Sequence, residues 1–159
     1  MTPTRGRSPR GERVVGHVPR NRGTLTTMLG ALGVEGMRAM MTIQGGTTAE
    51  VFEAFVRHCL VPKLKVGDVV VLDNVGAHKP HAILQLIRNA GAHVLFLPPY
   101  SPDLNPIENA WSKLKAFLRR AGARTHEALD RAIAAAMDTI TPADAAGWFR
   151  LCGYENTLN

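Results

Sequence analysis

Asp73 ends the apolar run Val69-Val70-Val71-Leu72, and Glu108 opens a helix behind a proline-rich loop. Thirty-four residues, 74 through 107, lie between them. A carboxylate at the exit of a buried strand and another on a following helix could hold a divalent cation beside a phosphodiester. Mg²⁺ and Mn²⁺ are hard cations that prefer oxygen ligands. In phosphoryl transfer two such ions, about 3.5–4 Å apart, activate the attacking oxygen and stabilise the leaving one. Each acid also has a plainer explanation. Asp73-Asn74 is a turn-forming pair that can bond its own backbone. Asn105-Pro106-Ile107-Glu108 reads as an N-cap, a first helical residue and an acid that completes a capping box at the positive end of the helix dipole. His78 and His81 have a spacing that shares one helix face, but no further Cys or His accompanies them as a zinc site requires.

The elements that must position these residues can be read from periodicity and breakers. Thr24–Leu32 and Met37–Ile43 read as strands joined by a hairpin at Gly33–Gly36. Thr47-Thr-Ala-Glu50 has the form of a capping box, after which Val51, Phe52, Phe55, Val56, Cys59 and Leu60 recur at helical spacing until Pro62. Val69–Leu72 does not alternate, the pattern of a strand covered on both faces. A helix beginning at Pro80 and closing at Gly91, a strand at His93–Leu97, a helix from Pro106, one from Thr125 to about Ile140, and one capped by Thr141-Pro-Ala-Asp144 complete the chain. This order predicts an α/β fold with a mixed sheet, and Asp73 falls at the carboxyl end of a parallel strand, where ligands bind in open sheets.

The 159 residues suffice for one domain with a real core. Hydrophobic residues are 45% and charged residues 20%, the balance of a globular protein. No apolar stretch has the length of a membrane span, and no apolar segment follows the basic N-terminus as in a signal peptide. No membrane partner is therefore expected. Cys59 and Cys152 match no metal or redox spacing and suit a reducing, cytoplasmic location. The net charge of +6 is concentrated in residues 1–22, where Arg5, Arg7, Arg10, Arg13, Arg20 and Arg22 face one acid, Glu12. Such a segment suits phosphate contacts, or is a solvated tail. Residues 1–23 are read as this basic, partly disordered segment and 24–159 as the folded domain. Lys113, Lys115, Arg119 and Arg120 on the Glu108 helix are further candidates for DNA phosphates.

Two stretches carry a family resemblance. Val70-Val-Leu-Asp-Asn74 with His78, and Leu95-Phe-Leu-Pro-Pro-Tyr-Ser-Pro-Asp-Leu-Asn-Pro-Ile-Glu-Asn-Ala-Trp-Ser-Lys-Leu-Lys115, resemble the catalytic domain of bacterial insertion-sequence transposases of the mariner-type Asp-Asp-Glu superfamily. Pro9-Arg-Gly-Glu-Arg13 and Gly16-His-Val-Pro19 are similar to it as well, so the resemblance spans nearly the whole chain. It implies an RNase H-like, integrase-like mixed sheet flanked by helices, with Asp73 as the second Asp and Glu108 as the Glu. It implies Mg²⁺ or Mn²⁺ as cofactor, transposon ends and target DNA as partners, and DNA contacts at Arg10, Arg13, Arg20, Arg22, His78, Lys113, Lys115 and Arg119.

The resemblance also exposes a departure. Full members place a first Asp on a first central strand, and the chain resembles the segment after it. Glu12, Glu35, Glu50, Glu53 and Asp68 lie upstream of Asp73, and none falls at a strand exit. The expectation is therefore a domain truncated at its N-terminus, lacking its first central strand, and inactive alone. A decayed copy, an internal start, or one half of a split frame completed by an upstream-encoded half would each produce it, and a homodimer is a further possible assembly. The alternatives are a non-enzymatic nucleic-acid-binding remnant and, far behind, an unrelated α/β enzyme such as a glycosidase.

Overall fold

A hairpin is the first regular structure among the described residues. The computed structural model describes residues 7–15, 25–78 and 80–154. Arg20 and Arg22 lie outside the described residues, whereas Arg10 and Arg13 are exposed on irregular backbone. β1 (Thr26–Gly33) and β2 (Gly36–Gln44) pair antiparallel around Val34-Glu35. Gly36 closes the turn at φ 124°, a conformation that side chains oppose.

Both faces of this hairpin are covered, and a bulge adjusts the pattern. Leu29, Ala31, Ala39 and Met41 pack on one apolar cluster, while Met28, Leu32, Met37 and Met40 pack on another. Strict alternation would put Met37 with Ala39 and Met41. The pairing shifts between Ala31 and Leu32, leaving Arg38 as an extra residue. One extra residue reverses the parity of the strand, so Met37 joins Met40.

The first cluster is built by a helix that changes pitch. Thr48 caps α1 (Ala49–Phe55), its hydroxyl accepting the Val51 N–H at 3.4 Å. The box expected at Thr47 is thus displaced by one residue, because Thr48 carries the extended backbone next to the first turn. The helix widens into a π turn at Val56–Leu60 and tightens into a 3-10 turn at Val61–Lys63. Phe52, Phe55, Val56 and Leu60 remain buried through the change. Pro62, lacking an N–H, cannot extend the α-helical ladder.

β3 (Val69–Leu72) and β4 (His93–Phe96) pair parallel, from Val69 beside His93 to Leu72 beside Phe96. α2 (His81–Asn89) makes the crossover and buries Ile83 and Ile87 completely. Among the described residues the expected mixed sheet is present as two two-stranded parts, one antiparallel and one parallel, as a sheet without its first central strand would be. They share the first cluster, where Ala39 of the hairpin meets Phe52, Leu72 and Ile83. β3 is also less covered than its apolar run suggests. Val70, Leu72, Val94 and Phe96 face the cluster, but Val69 is 57% and Leu95 51% exposed. The described residues seal one face of this parallel pair.

Arg38 tells how the two sheets are placed. Its side chain lies over Gly33, where an added Cβ would stand 2.6 Å from Nε. Its guanidinium then donates to Asp68 Oδ2 at 2.8 Å. Arg38 therefore crosses the end of β1 to reach the approach to β3, which puts β1 on the β3 side of the hairpin. β1 and β3 belong to different sheets and are not hydrogen-bonded to each other. The Lys65 N–H foremost, and then Arg38, hold the Asp68 carboxyl below the usual range. Gly33→Ala is expected to displace Arg38 and cost about 1–2 kcal/mol in urea unfolding, near the worth of a charge-assisted hydrogen bond. In an Asp68→Asn background the same substitution should cost clearly less, and an equal cost would show that the strap contributes nothing.

Three helices close the chain. α3 (Pro106–Ala121), α4 (His126–Met137) and α5 (Pro142–Leu151) surround Ala110, Leu114, Leu118, Ile133 and Ala136 under the hairpin. Gly30 of β1 receives the Trp111 ring of α3, where an added Cβ would lie only 2.9 Å away. Thr141 and Asp144 form the expected capping box. Among the described residues no helix is long and apolar enough to cross a membrane.

Candidate active site

Asp73 follows the last residue of β3, and its local bonds follow from that exit. Oδ1 accepts the Val75 N–H at 3.1 Å, the self-bonding turn expected of an Asp after a strand. His78 Nδ1 also lies 2.6 Å from Oδ1, although off the line a hydrogen bond takes, so this is a close polar contact. The His78 ring rests on Phe52 with centroids 4.0 Å apart and is 18% exposed. Oδ2 has no partner among the described residues. Asp73 itself is 44% exposed. The turn explanation and a ligand role thus use different oxygens of one carboxylate.

Asn74 locks the neighbouring exit. Its side-chain amide donates to the Leu97 carbonyl, and the Leu97 N–H donates to Leu72 O at 2.8 Å. The ends of β3 and β4 are therefore tied where the Pro98-Pro99 loop departs toward α3. Glu108 stands in the first turn of that helix. The capping box expected for it does not form, because the Asn105 side chain makes no cap bond and only its carbonyl accepts the Glu108 N–H. Glu108 is exposed and its carboxylate has no hydrogen bond or ion pair among the described residues. Of its structural explanations the helix dipole remains and the capping box is gone.

The α3 surface sorts the basic candidates. Glu108, Ser112, Lys115 and Arg119 follow at helical intervals of four, three and four, so they share a face, and all four are exposed. Lys113 points elsewhere: its ammonium donates to Asp144 Oδ2 at 2.6 Å. Lys113 foremost, with the Thr141 N–H and hydroxyl, holds the Asp144 carboxyl down to about 2. The Asp144 carboxylate is therefore charged at neutral pH, and its contact with Lys113 ties α3 to α5, which takes Lys113 out of the exposed set. His78 is likewise turned inward against Phe52 and Asp73 rather than outward, and His81 is exposed at the start of α2. Among the described residues no group of three His, Cys, Asp or Glu converges as a metal site.

The sequence over residues 1–130 matches the model of the DDE superfamily endonuclease family. The chain belongs to that family. Solved structures of similar fold include the Mos1 strand transfer complex, with TM-score 0.74 and 16% identity over 92% of this chain and 45% of that chain. The Mos1 transposase paired-end complex with left transposon end gives 0.71 and 16%, over 92% and 46%. The Mos1 mariner paired end complex with Mn gives 0.69 and 17%, over 94% and 47%. At such identities the likeness is one of fold, and it makes the DDE domain RNase H-like. The DDE domain spans about half the length of these solved chains. No curated protein matches its sequence.

Sequence reasoning missed three features of the DDE domain. Arg38 and Asp68 had no visible link before the bulge was seen. Asn74 read only as a turn former, although it ties the two strand ends. Tyr100 passed as one residue of a stiff loop, yet it is fully exposed at φ 59°. Its proline-bounded position was the only signal available.

Proposed function

We propose that the chain is most of the catalytic domain of a DNA transposase of an insertion sequence, cutting and joining DNA strands with a divalent metal. The observation that carries this reading is the pair of carboxylates with free oxygens, Asp73 at the β3 exit and Glu108 at the head of α3, in a chain of the DDE family. The similar Mos1 structures are named for a transposon end and for Mn, which supports DNA ends and a divalent ion as the partners here.

Asp73 Oδ2 and the Glu108 carboxylate would hold Mg²⁺ or Mn²⁺. Mg²⁺ is commonly bound by one or two carboxylates together with substrate phosphate and water. Two carboxylates therefore suit one ion and fall short for a pair. When bound, the metal polarises the scissile phosphate and favours deprotonation of the attacking water. His78, supported by Phe52, keeps Asp73 oriented. Lys115 and Arg119, about 6 Å apart along the helix axis, take backbone phosphates on the Glu108 face, with Arg10 and Arg13 adding charge from the basic segment. Arg20 and Arg22 extend that segment in sequence.

The third carboxylate comes from outside these residues, on a strand that pairs between the facing edges of β1 and β3. An upstream-encoded transposase half is its source in this reading, and the isolated chain is inactive. A second reading is a DNA-binding remnant without catalysis, favoured by the lack of a three-acid cluster among the described residues. Both readings require binding. Duplex DNA affinity should fall with salt, and neutralising Lys115 and Arg119 together should lessen the slope of log K against log salt by about 2. An unchanged slope would remove this face from the DNA path. Cleavage separates the two readings.

A further inference from the structure

We propose that Tyr100 is a stacking platform for an unpaired DNA base beside the Asp73–Glu108 site. The inference rests on the DNA-processing reading above and names a residue that reading does not use. Tyr100 is 102% exposed, so its ring contributes nothing to the core. Its φ is 59°, and among the described residues it is the one non-glycine with positive φ. A bulky side chain resists that conformation. It persists only where the surroundings hold it, and such outliers gather at functional sites.

The surroundings do hold it. On one side Leu97 is buried, bonded to Leu72 and gripped by Asn74. On the other, Pro102–Leu104 forms a 3-10 turn whose Leu104 carbonyl accepts the Tyr154 hydroxyl at 2.9 Å. Pro98, Pro99 and Pro102 stiffen the backbone between these anchors. The ring is therefore displayed by a fixed loop, which lowers the ordering cost on binding. Its place is the carboxyl end of the β3–β4 pair. It lies three residues past Leu97, hence within about 10 Å of it at full extension, on the segment that leads from Asp73's neighbour to Glu108. An aromatic ring stacks on any base, because every base has a π face. Cutting and joining at a phosphate requires the adjacent nucleotide to be held, and a base lifted from its stack would meet this ring.

The test uses the full chain and a short single-stranded oligonucleotide carrying 2-aminopurine, whose fluorescence falls when it stacks. Wild type should bind and quench, and Tyr100→Phe should do the same, since the hydroxyl is not needed. Tyr100→Gly should melt no lower than wild type, because glycine accepts positive φ. It should nevertheless lose the quench and about ten-fold in affinity. A Gly variant that binds and quenches like wild type overturns the stacking role while leaving the DNA reading intact. If the wild-type chain binds neither single- nor double-stranded DNA, the DNA reading falls and this inference with it.

Discussion

Asp73→Asn is expected to lower metal-dependent DNA cleavage by the completed domain on the order of 10³-fold or more. The reasoning separates the two oxygens of one side chain. Oδ1 accepts the Val75 N–H and sits against His78, and an asparagine oxygen can take over that bond. The turn and the β3 exit should therefore survive. What is lost is the negative charge and the free Oδ2. Metal stabilisation of charge at a reacting phosphate is worth several kcal/mol, and each 1.36 kcal/mol is tenfold in rate. Glu108→Gln should behave alike, because its carboxylate makes no structural bond among the described residues and the helix start rests on backbone. The double variant should be little worse than either single one, since groups that act as a unit are not additive. Nicking of DNA carrying the transposon end, in Mg²⁺ and in Mn²⁺, measures this. Loss of activity with unchanged unfolding is the expected pattern. Full activity in Asp73→Asn would mean that this acid belongs to its turn alone.

The second large effect concerns stability. Urea unfolding of the 159-residue chain is expected to be broad, with a slope below the range of about 1–3 kcal/mol per molar typical of small cooperative domains. β1 and β3 lie in separate sheets without mutual hydrogen bonds, and unpaired backbone groups are costly when buried. The Thr26 hydroxyl, at the start of β1, is already buried without a partner. Two apolar clusters on opposite sides of the hairpin are joined through it rather than through a continuous sheet. A strand placed between β1 and β3 would bond to both and couple them. Adding a segment that supplies such a strand should then sharpen the transition and move its midpoint to higher urea. A steep, cooperative transition of the chain by itself would contradict the expectation.

Much of this was legible in the residues, for identifiable reasons. The hairpin, the crossover helix and the Thr141–Asp144 box rest on local chemistry, which a sequence displays directly. The Asp73 and Glu108 assignment came from their shared motif context, since each acid alone had a local explanation. The structure removed one of those explanations, because Asn105 does not cap through its side chain. The failures share a cause. Val69–Leu72 read as doubly covered because its composition reports the environment of a complete sheet, whereas the described residues cover one face. The contacts that Lys113 and His78 make inside the fold were equally hidden, because their partners, Asp144 and Phe52, lie 31 and 26 positions away in sequence. The bulge at Arg38 was invisible because it depends on which neighbour each strand meets.

The most direct test of a divided active site is a side-by-side cleavage assay on transposon-end DNA in Mn²⁺. One sample holds the 159-residue chain alone, and the other holds it together with an added segment designed as an apolar strand ending in Asp. Cleavage in the second sample only, abolished by Asp73→Asn, is the predicted result. Cleavage by the chain alone, lost in Asp73→Asn, would contradict it by showing that these residues already hold a complete site.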